Sequence, residues 1–448
     1  MLFRSLYQQE IKNRLDYRIG YVKLFAPPEQ DIKIIAHDFD LMNELGKIKN
    51  SSTAFFLFLL CWIAYFTAYI GRLNYSSAMS DMIQTGILTQ SHAGFISMLY
   101  FFSYGFGQLL NGILGDWLPP QKMIFTGLFL AAVMNFLMPL ISLYPFMAAV
   151  WGINGYAQAM IWPPIIRIFS EMLDSRRKLK YSIDIVSSQA SGTLASYLLS
   201  AIILHLSGWK SVFTVASILL FIVALVWKVG FSAVCRQTDI VGKNISDFSV
   251  SEKSPFLGLI RTSGIFLLLF PIMIHGMLKD GVTTWVPTYI SENFLTSPSF
   301  SVLITTLLPI FNLAGAYLAR YVYIKCQKNE TLAAAVFFGI STLSLTLLWM
   351  LGHISIFLTT VLFALTTTSM MAVNTLYVSI YPLRYEKQGR VATISGFLNA
   401  VAYMGTAIST LGIGILAEHT NWSITVGLWV LFTAGAFFNC VLCRNITK

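Results

Sequence analysis

The chain has 448 residues, of which 56% are hydrophobic and only 11% are charged. Soluble domains carry about 25% charged residues, so this composition argues against a water-soluble protein and predicts one whose solvent is lipid. The net charge is +10, but the basic residues lie in short loops between apolar segments, which is typical of cytoplasmic loops and argues against nucleic-acid binding.

Twelve apolar segments follow a polar N-terminal tail. Residues 1–53 hold many charges and no apolar signal-peptide core, so we expect an uncleaved tail. The segments that follow are about as long as, or longer than, the ~20 residues that a helix needs to cross a bilayer. The sequence therefore predicts an all-α membrane protein with about twelve transmembrane helices. They fall at 54–83, 90–115, 121–141, 143–172, 179–206, 209–231, 262–291, 299–322, 331–350, 353–382, 389–417 and 422–443.

Lysine and arginine distinguish the two sides of the membrane. One set of loops carries many of them, as in residues 176–180, whereas the alternate loops carry few, with Lys210 the main exception. The positive-inside rule then predicts that both termini are cytoplasmic. The tail lacks the Arg- and Ser-rich, acid-poor character of a transit peptide, so we expect a plasma or inner membrane. The predicted divisions are a tail at 1–53, six-helix halves at 54–231 and 262–443, a cytoplasmic linker at 232–261 and a C-terminus at 444–448.

Two basic residues lie deep inside predicted spans, where an ionisable group is costly unless it is paired or faces water. Arg72 shares a face of the first span with Tyr65 and Tyr69, and Lys279 lies at a matching depth in the seventh. This arrangement favours one cavity in which both cations hold an anion such as phosphate. The alternatives are that Arg72 extends to the outer interface, and that Lys279 pairs with a charge inside the bundle, such as Asp280.

Polar residues also recur at helical spacing along the second and eleventh predicted spans. We expect these faces to line the cavity, although hydrogen bonding between helices explains any single residue equally well. The residues are Ser97, Tyr104, Gln108 and Asn111 in one span and Ser395, Asn399, Tyr403, Thr406 and Thr410 in the other.

The fourth predicted span contains Trp162-Pro163-Pro164, and these prolines predict a kink because proline lacks the amide hydrogen of the helix ladder. Arg167 and Glu171 are four residues apart and can pair on one face near the cytoplasmic end. Asp184, in the next span, lies at a similar depth and could join them. We expect these three residues to form a gating or structural network.

Other functional classes lack sequence support. The cysteines and histidines match no metal-site spacing, and the chain has no nucleotide-binding loop or nucleophile motif. We therefore expect a protein that is not an enzyme, holds no metal or cofactor and moves its solute by a gradient or by exchange.

Several motifs resemble those of one transporter family. Gly112-x-x-x-Asp116 is similar to a loop signature of the major facilitator superfamily. Nearly the whole chain after residue 54 resembles the organophosphate:phosphate antiporter family within it. The segments that carry this resemblance are Tyr65-x-x-x-Tyr69-x-x-Arg72-x-Asn74, Trp162-Pro163-Pro164-x-x-Arg167, Trp285-x-Pro287-Thr288-Tyr289, and Gly396-Phe397 leading to Tyr403-Met404-Gly405.

The resemblance implies two pseudo-symmetric six-helix halves, a monomer, and a phosphate held between Arg72 and Lys279. It also implies that the loop around Gly112 and Asp116 stabilises one conformation. The chain departs from the family at several positions: the usual arginine of the seventh span is Lys279, a usual lysine of the second is Gln108, and a usual histidine of the fourth falls at Glu171. The charge of the cavity is therefore lower than is usual in the family.

We expect an exchanger of an organophosphate, either a sugar phosphate or glycerol phosphate, for inorganic phosphate. One alternative is a membrane receptor for a sugar phosphate. Another is a proton-coupled carrier of a different organic anion or of an unphosphorylated solute, in which Asp184, Glu171 and Asp280 carry protons. The expected substrate-binding residues are Arg72, Lys279, Tyr65, Tyr69, Tyr104, Gln108, Asn399 and Tyr403.

Overall fold

The computed structural model describes residues 48–114, 118–238, 265–385 and 391–444. In these ranges all regular secondary structure is helical, and eleven helices are long and apolar enough to cross a membrane. A twelfth crossing consists of two helices of 16 and 11 residues, each shorter than the ~20 residues that a single helix needs. The predicted all-α membrane fold with about twelve crossings is confirmed.

We number the crossings span 1 to span 12 in chain order. In sequence they are Ser51–Gln84, Gln90–Leu114, Pro120–Leu137 with the turn Met138–Leu140, Tyr144–Ala159 with Trp162–Met172, Ser175–Asp184 with Val186–Ser207, Trp209–Thr238, Ile265–Asn293, Pro298–Thr305 with Leu307–Lys325, Glu330–Leu351, Ile356–Ile380, Val391–His419 and Trp422–Cys443. Residues 1–47 and 239–264 lie outside the described ranges, so the predicted tail and linker stay predictions.

Local sequence accounts for where several spans begin. Asn50, Asn329 and Asn421 each accept a hydrogen bond from a backbone N–H of the first helical turn. These caps satisfy amide groups that have no partner within the helix. The break in span 4 falls at Pro163-Pro164, which occupy the start of its second helix, so the predicted kink is confirmed.

The exterior is apolar, as lipid requires. Many large hydrophobic side chains remain exposed, among them Leu206, Val229 and Leu442. Within the first half, span 1 packs on spans 5 and 6, and span 3 packs on spans 4 and 6. Within the second half, span 9 packs on spans 10 and 12, and span 7 on span 11. The halves meet where span 2 packs on span 11 and span 5 on span 8.

Glycines set the distance between several spans. A Cβ atom on Gly94 of span 2 would lie 2.6 Å from the carbonyl oxygen of Thr410 in span 11. A Cβ atom on Gly405 of span 11 would lie 2.2 Å from the carbonyl oxygen of Met273 in span 7. Small residues permit this close approach of helix backbones in a membrane. Span 11 is thus packed closely against span 2 of the first half and against span 7 of its own half.

Spans 7 and 10 each contain a departure from regular α-helix. Span 7 is π-helical over Met277–Val282, and span 10 is π-helical over Thr375–Ile380. Short π-helical turns are rare and occur frequently at functional sites. The first of them contains Lys279, so the backbone irregularity coincides with one of the two cations found in the sequence.

Candidate functional site

Arg72 lies in span 1, about 18 Å along the helix from its end at Gln84. The side chain is only 7% exposed, so it does not extend to the interface. Five aromatic rings surround it, and we call them the aromatic cage. The distance from the guanidinium carbon to the ring centroid is 4.6 Å for Tyr104, 5.4 Å for Tyr69, 5.6 Å for Phe101 and Tyr403, and 5.9 Å for Tyr100.

The cage stabilises the positive charge of Arg72 through ring faces. In the part of the chain that the structure describes, no carboxylate forms an ion pair with Arg72. Each favourable cation–π contact contributes about 0.5–2 kcal/mol, the larger value applying where water is excluded. Arg72 also forms a side-chain hydrogen bond with Tyr403, and the remaining N–H groups of the guanidinium can donate to an incoming acceptor.

Lys279 approaches the same cage from span 7. Its Nζ atom lies 5.9 Å from the ring centroid of Tyr403 and 3.0 Å from the Oδ2 atom of Asp280. Adjacent residues of a regular α-helix do not face each other, but Lys279 and Asp280 pair within the π-helical turn. The internal charge pair kept as an alternative for Lys279 is therefore present, beside the proposed anion site.

Tyr403 joins the two halves of the site. Its ring centroid lies within 6 Å of both the Arg72 guanidinium of the first half and the Lys279 ammonium of the second. The same ring packs against Tyr104 of span 2 at 4.8 Å between centroids. With Asp280 counted, these side chains carry a net charge of about +1 when all are ionised. An anion placed between the two cations would be attracted from both halves.

Tyr65 and Tyr69 connect the cage to the break in span 4. Each is 7% exposed, and their rings meet edge to face at 5.3 Å between centroids. The Tyr65 ring also lies 4.7 Å from that of Trp162, which begins the second helix of span 4. A change in the cage can thus reach the kink through direct ring contacts. The substrate role of both tyrosines stays a prediction.

Gln108 and Asn399 lie one helical turn from Tyr104 and Tyr403, respectively, and both are half-buried. Neither side chain forms a hydrogen bond within the described parts of the chain. Beside Asn399 on span 11, a Cβ atom on Gly396 would have no neighbour within 4 Å. This side of the site is therefore loosely packed, and its amides can bind the remainder of a solute.

Two cage residues were missing from our sequence-based site: Tyr100 and Phe101. Tyr100 is one turn before Tyr104 on span 2, so the helical spacing that identified Tyr104 could also have identified it. Its hydroxyl is buried and makes no hydrogen bond to the described protein. Because buried hydroxyls normally have a partner, Tyr100 can donate to an oxygen that enters the cage.

One end of the site is closed by contacts between the halves. One turn beyond Arg72, the Ser76 hydroxyl donates to the carbonyl oxygen of Thr284 at 2.7 Å. Farther out lies a group of hydrogen bonds that we call the sealed end. It comprises Gln84 to Ser291 at 2.6 Å, Gln90 to both Glu292 oxygens at 2.6 and 2.7 Å, the Ser91 amide to Glu418 at 2.7 Å, and Trp422 to Glu292 at 2.8 Å.

In the second helix of span 4, away from the sealed end, Arg167 and Glu171 pair as predicted, with 2.6 Å between Nε and Oε1. Arg167 also donates to the carbonyl oxygen of Leu118 at 3.0 Å, which connects span 4 to the chain before span 3. The Asp184 carboxylate makes no ion pair with this group in the ranges that the structure describes. The three-residue network is thus reduced there to a pair, and its gating role stays a prediction.

The predicted loop signature between spans 2 and 3 is only partly visible. Gly112 lies in the last turn of span 2, which ends at Leu114. Asp116 lies outside the described residues, which resume at position 118. The role expected of this loop in stabilising one conformation therefore stays a prediction.

Comparison with known families agrees with this architecture. The family description that matches residues 61–404 is the Major Facilitator Superfamily. The chain belongs to this superfamily. The likeness to its transporters extends through both halves, including spans 1 to 10 and the part of span 11 that carries Tyr403.

This superfamily member is similar over most of its length to several named proteins. A probable hexose phosphate transport protein of Chlamydia muridarum is 22% identical over 90% of this chain and 92% of its own length. The glycerol-3-phosphate transporter of Bacillus subtilis is 24% identical over 82% of this chain and 87% of its own. The membrane sensor protein UhpC of Escherichia coli is 20% identical over 86% and 90%. The predicted family resemblance is confirmed.

Solved structures confirm the fold. A bacterial homologue of the human lysosomal transporter Spinster, in an inward-facing conformation, has a TM-score of 0.74 at 12% identity and covers 89% of this chain and 98% of its own. The nucleoside transporter NupG has a TM-score of 0.66 at 14% identity, with coverages of 88% and 99%. The chain is thus a multi-pass membrane transporter of the Major Facilitator Superfamily, a fold and family of transporters and not of enzymes.

Proposed function

We propose that this transporter exchanges an organophosphate, either a sugar phosphate or glycerol phosphate, for inorganic phosphate by alternating access. The observation that carries the proposal is that Arg72 and Lys279, from opposite halves, both lie within 6 Å of the centroid of the Tyr403 ring. The similarity to proteins named as hexose phosphate and glycerol-3-phosphate transporters supports the choice of substrate.

Phosphate binding follows from the chemistry of the two cations. Arg72 offers a planar fork of N–H donors that matches two phosphate oxygens, whereas Lys279 offers a point charge. Asp280 holds Lys279 in the free state, so the phosphate takes over part of that pairing as it binds. The half-buried amides of Gln108 and Asn399 then bind the hydroxyl groups of the organic part.

Exchange follows because the cations belong to different halves. Without an anion, bringing the halves together around the site places Arg72 and Lys279 close to each other with like charge. A bound phosphate converts this repulsion into attraction and stabilises the intermediate closed at both ends. The empty protein therefore changes conformation slowly, and one anion is carried out for each carried in.

We further propose the membrane orientation that the basic loops indicate, with both termini cytoplasmic and the halves at 54–231 and 262–443 moving about the site. In that orientation the sealed end faces outward, because span 1 ends there. The loop signature with Gly112 and Asp116, and the Arg167–Glu171 pair, then lie on the cytoplasmic side, where they stabilise one conformation. We propose a monomer as the functional unit.

The proposal is tested in proteoliposomes loaded with phosphate and supplied with radiolabelled phosphate outside. We expect exchange by the wild type and its loss in Arg72→Ala and Lys279→Ala. Lys279→Arg, which keeps the charge, retains exchange. Lys210→Ala is the matched control, since it removes a cation outside the cage. Intact wild-type protein that exchanges no phosphate contradicts phosphate antiport, and competing sugar phosphates then rank the organic substrates of an active protein.

A second function, sensing of an external sugar phosphate, is favoured by the similarity to the membrane sensor protein UhpC. A sensor needs the same binding site but no transport cycle. Binding of a sugar phosphate that Arg72→Ala removes, together with no flux in proteoliposomes, would favour the sensor. Flux that both cage cations support favours the exchanger.

A further inference from the structure

A second basic site lies at the membrane end opposite the sealed end, away from the aromatic cage. It is a cavity of about 390 Å³ at the point where span 8 ends, span 9 begins and span 12 ends. Three of its lining side chains are cationic: Lys328, Arg384 and Arg444. The others are Cys326, Gln327, Asn329 and Leu332.

The cavity carries an excess of positive charge. Glu330 is 2% exposed, and its carboxylate accepts hydrogen bonds from Arg384 and, at 3.4 Å, from the Tyr323 hydroxyl. This ion pair balances one of the three cations. Lys328 and Arg444 are exposed at the rim, so the described lining has a net charge of about +2.

The wall of the cavity is fixed by Asn329. Its side-chain oxygen accepts from the Leu332 amide at 2.9 Å and caps span 9. Its side-chain nitrogen donates to the carbonyl oxygen of Arg444 at 2.8 Å, which ties the end of span 12 to the start of span 9. The oxygen and the nitrogen of the Asn329 side chain thus both form hydrogen bonds. These bonds connect the backbone next to Lys328 with the backbone of Arg444.

The turn that presents Lys328 is strained. Gln327 and Lys328 have φ angles of +55° and +60°, which residues other than glycine adopt at an energetic cost. Backbone hydrogen bonds from both amides, to Ile324 and Tyr323, hold this conformation. Strained residues cluster at functional sites, and here the strain places a lysine at the mouth of the cavity.

The place of the cavity at the ends of membrane-crossing helices indicates what it binds. Tyr321 and Ile324, on the last turns of span 8, are 61% and 57% exposed. Cys326 and Gln327, which line the cavity, follow these exposed residues closely in the chain. A basic pocket between helix ends at this level matches a phosphate group with acyl chains below it.

We propose that the cavity between spans 8, 9 and 12 is a second anion site that binds a phosphate group, supplied either by an acidic phospholipid or by free phosphate. This site is separate from the aromatic cage and does not depend on the proposed exchange function. Lys328 and Arg444 make the contacts with the anion, and Arg384, which pairs with Glu330, lines the same cavity.

The test compares wild type with the double variant Lys328→Gln and Arg444→Gln. Lys325→Gln is the matched control, because it removes an exposed cation of the same turn that does not line the cavity. Detergent-purified protein is titrated with phosphatidylglycerol or phosphatidylcholine, and bound lipid is counted by native mass spectrometry. A parallel arm measures binding of radiolabelled inorganic phosphate in phosphatidylcholine nanodiscs, in an Arg72→Ala background that removes the cage site.

For a lipid ligand, we expect wild type and the control to prefer phosphatidylglycerol, and the double variant to bind it about thirtyfold more weakly. If the double variant instead loses binding of inorganic phosphate but retains lipid as the wild type does, the site binds a soluble anion. The pair Lys328→Arg and Arg444→Lys restores binding, which separates charge from folding. The proposal is overturned if wild type shows neither a phosphatidylglycerol preference nor phosphate binding, or if the double variant keeps both.

Discussion

Asp280 distinguishes this site from a simple pair of cations, and its neutralisation gives a sharp prediction. Its carboxylate lies 3.0 Å from the Lys279 ammonium, so a phosphate on Lys279 would stand within about 6 Å of it. At an effective dielectric constant of about 20, this distance corresponds to about 3 kcal/mol of repulsion per unit charge. Asp280→Asn should therefore bind phosphate about tenfold to a hundredfold more tightly.

The same substitution leaves Lys279 without its partner, and that side chain is only 13% exposed. We expect the melting temperature of the ligand-free variant to fall and to recover on addition of phosphate, because the anion replaces the lost carboxylate. Tighter binding also slows release, so the maximal exchange rate should decrease.

The assay is a titration of purified protein with phosphate, in which binding is measured both by the melting temperature and by intrinsic fluorescence. Asp174→Asn is the matched control, because it removes a carboxylate at a helix start, outside the cage, while asparagine keeps the cap. Unchanged or weaker phosphate binding by Asp280→Asn would refute this account of the cavity charge. A separate uptake assay in proteoliposomes addresses the proton-coupled carrier. If a pH gradient alone drives uptake by the wild type and Asp280→Asn loses that uptake, the proton-coupled carrier is supported instead.

Three further predictions concern packing, the sealed end and the cage. Gly405→Ala places a Cβ atom 2.2 Å from the carbonyl oxygen of Met273 and should lower the yield of folded protein. Gly396→Ala is the control and should leave the yield unchanged, because its Cβ atom has no neighbour within 4 Å. Size-exclusion chromatography measures the yield of both variants. Glu292→Ala removes hydrogen bonds that close the sealed end and should favour its opening by about 1–3 kcal/mol, seen as a longer distance between spin labels across that end. Tyr403→Phe keeps the ring and should keep phosphate affinity within about threefold, whereas Tyr403→Leu should weaken it about tenfold; equal effects in a binding titration would contradict a role for the ring face.

The elements of the fold followed from the sequence because lipid imposes one simple requirement. Long apolar segments with basic loops on one side predicted the twelve crossings, and Pro163-Pro164 predicted the break in span 4. Arg72 and Lys279 were identifiable for the related reason that a charge inside an apolar segment is costly. Their common approach to Tyr403 from opposite halves required the three-dimensional arrangement of spans 1, 7 and 11.

Other features were not predicted from the sequence. The π-helical turn that brings Asp280 to Lys279 depends on tertiary packing, since the residues of Met277–Val282 suit an α-helix equally well. Glu292 and Glu418 fall near span ends, where charged residues are common, so their role in closing the sealed end was not apparent. Tyr100 was overlooked although it shares the face of Tyr104, because its ring could equally have packed in the core.

The central claim is that one phosphate bridges Arg72 and Lys279. It is tested most directly by a double-mutant cycle on phosphate affinity, using Arg72→Ala, Lys279→Ala and the combined variant, with melting curves to confirm folding. Groups that share one ligand should couple by about 0.5–3 kcal/mol, so we predict that the loss in the combined variant differs from the sum of the single losses by that amount. Losses that add within about 0.5 kcal/mol would show that the two cations act independently, and would contradict a bridged phosphate.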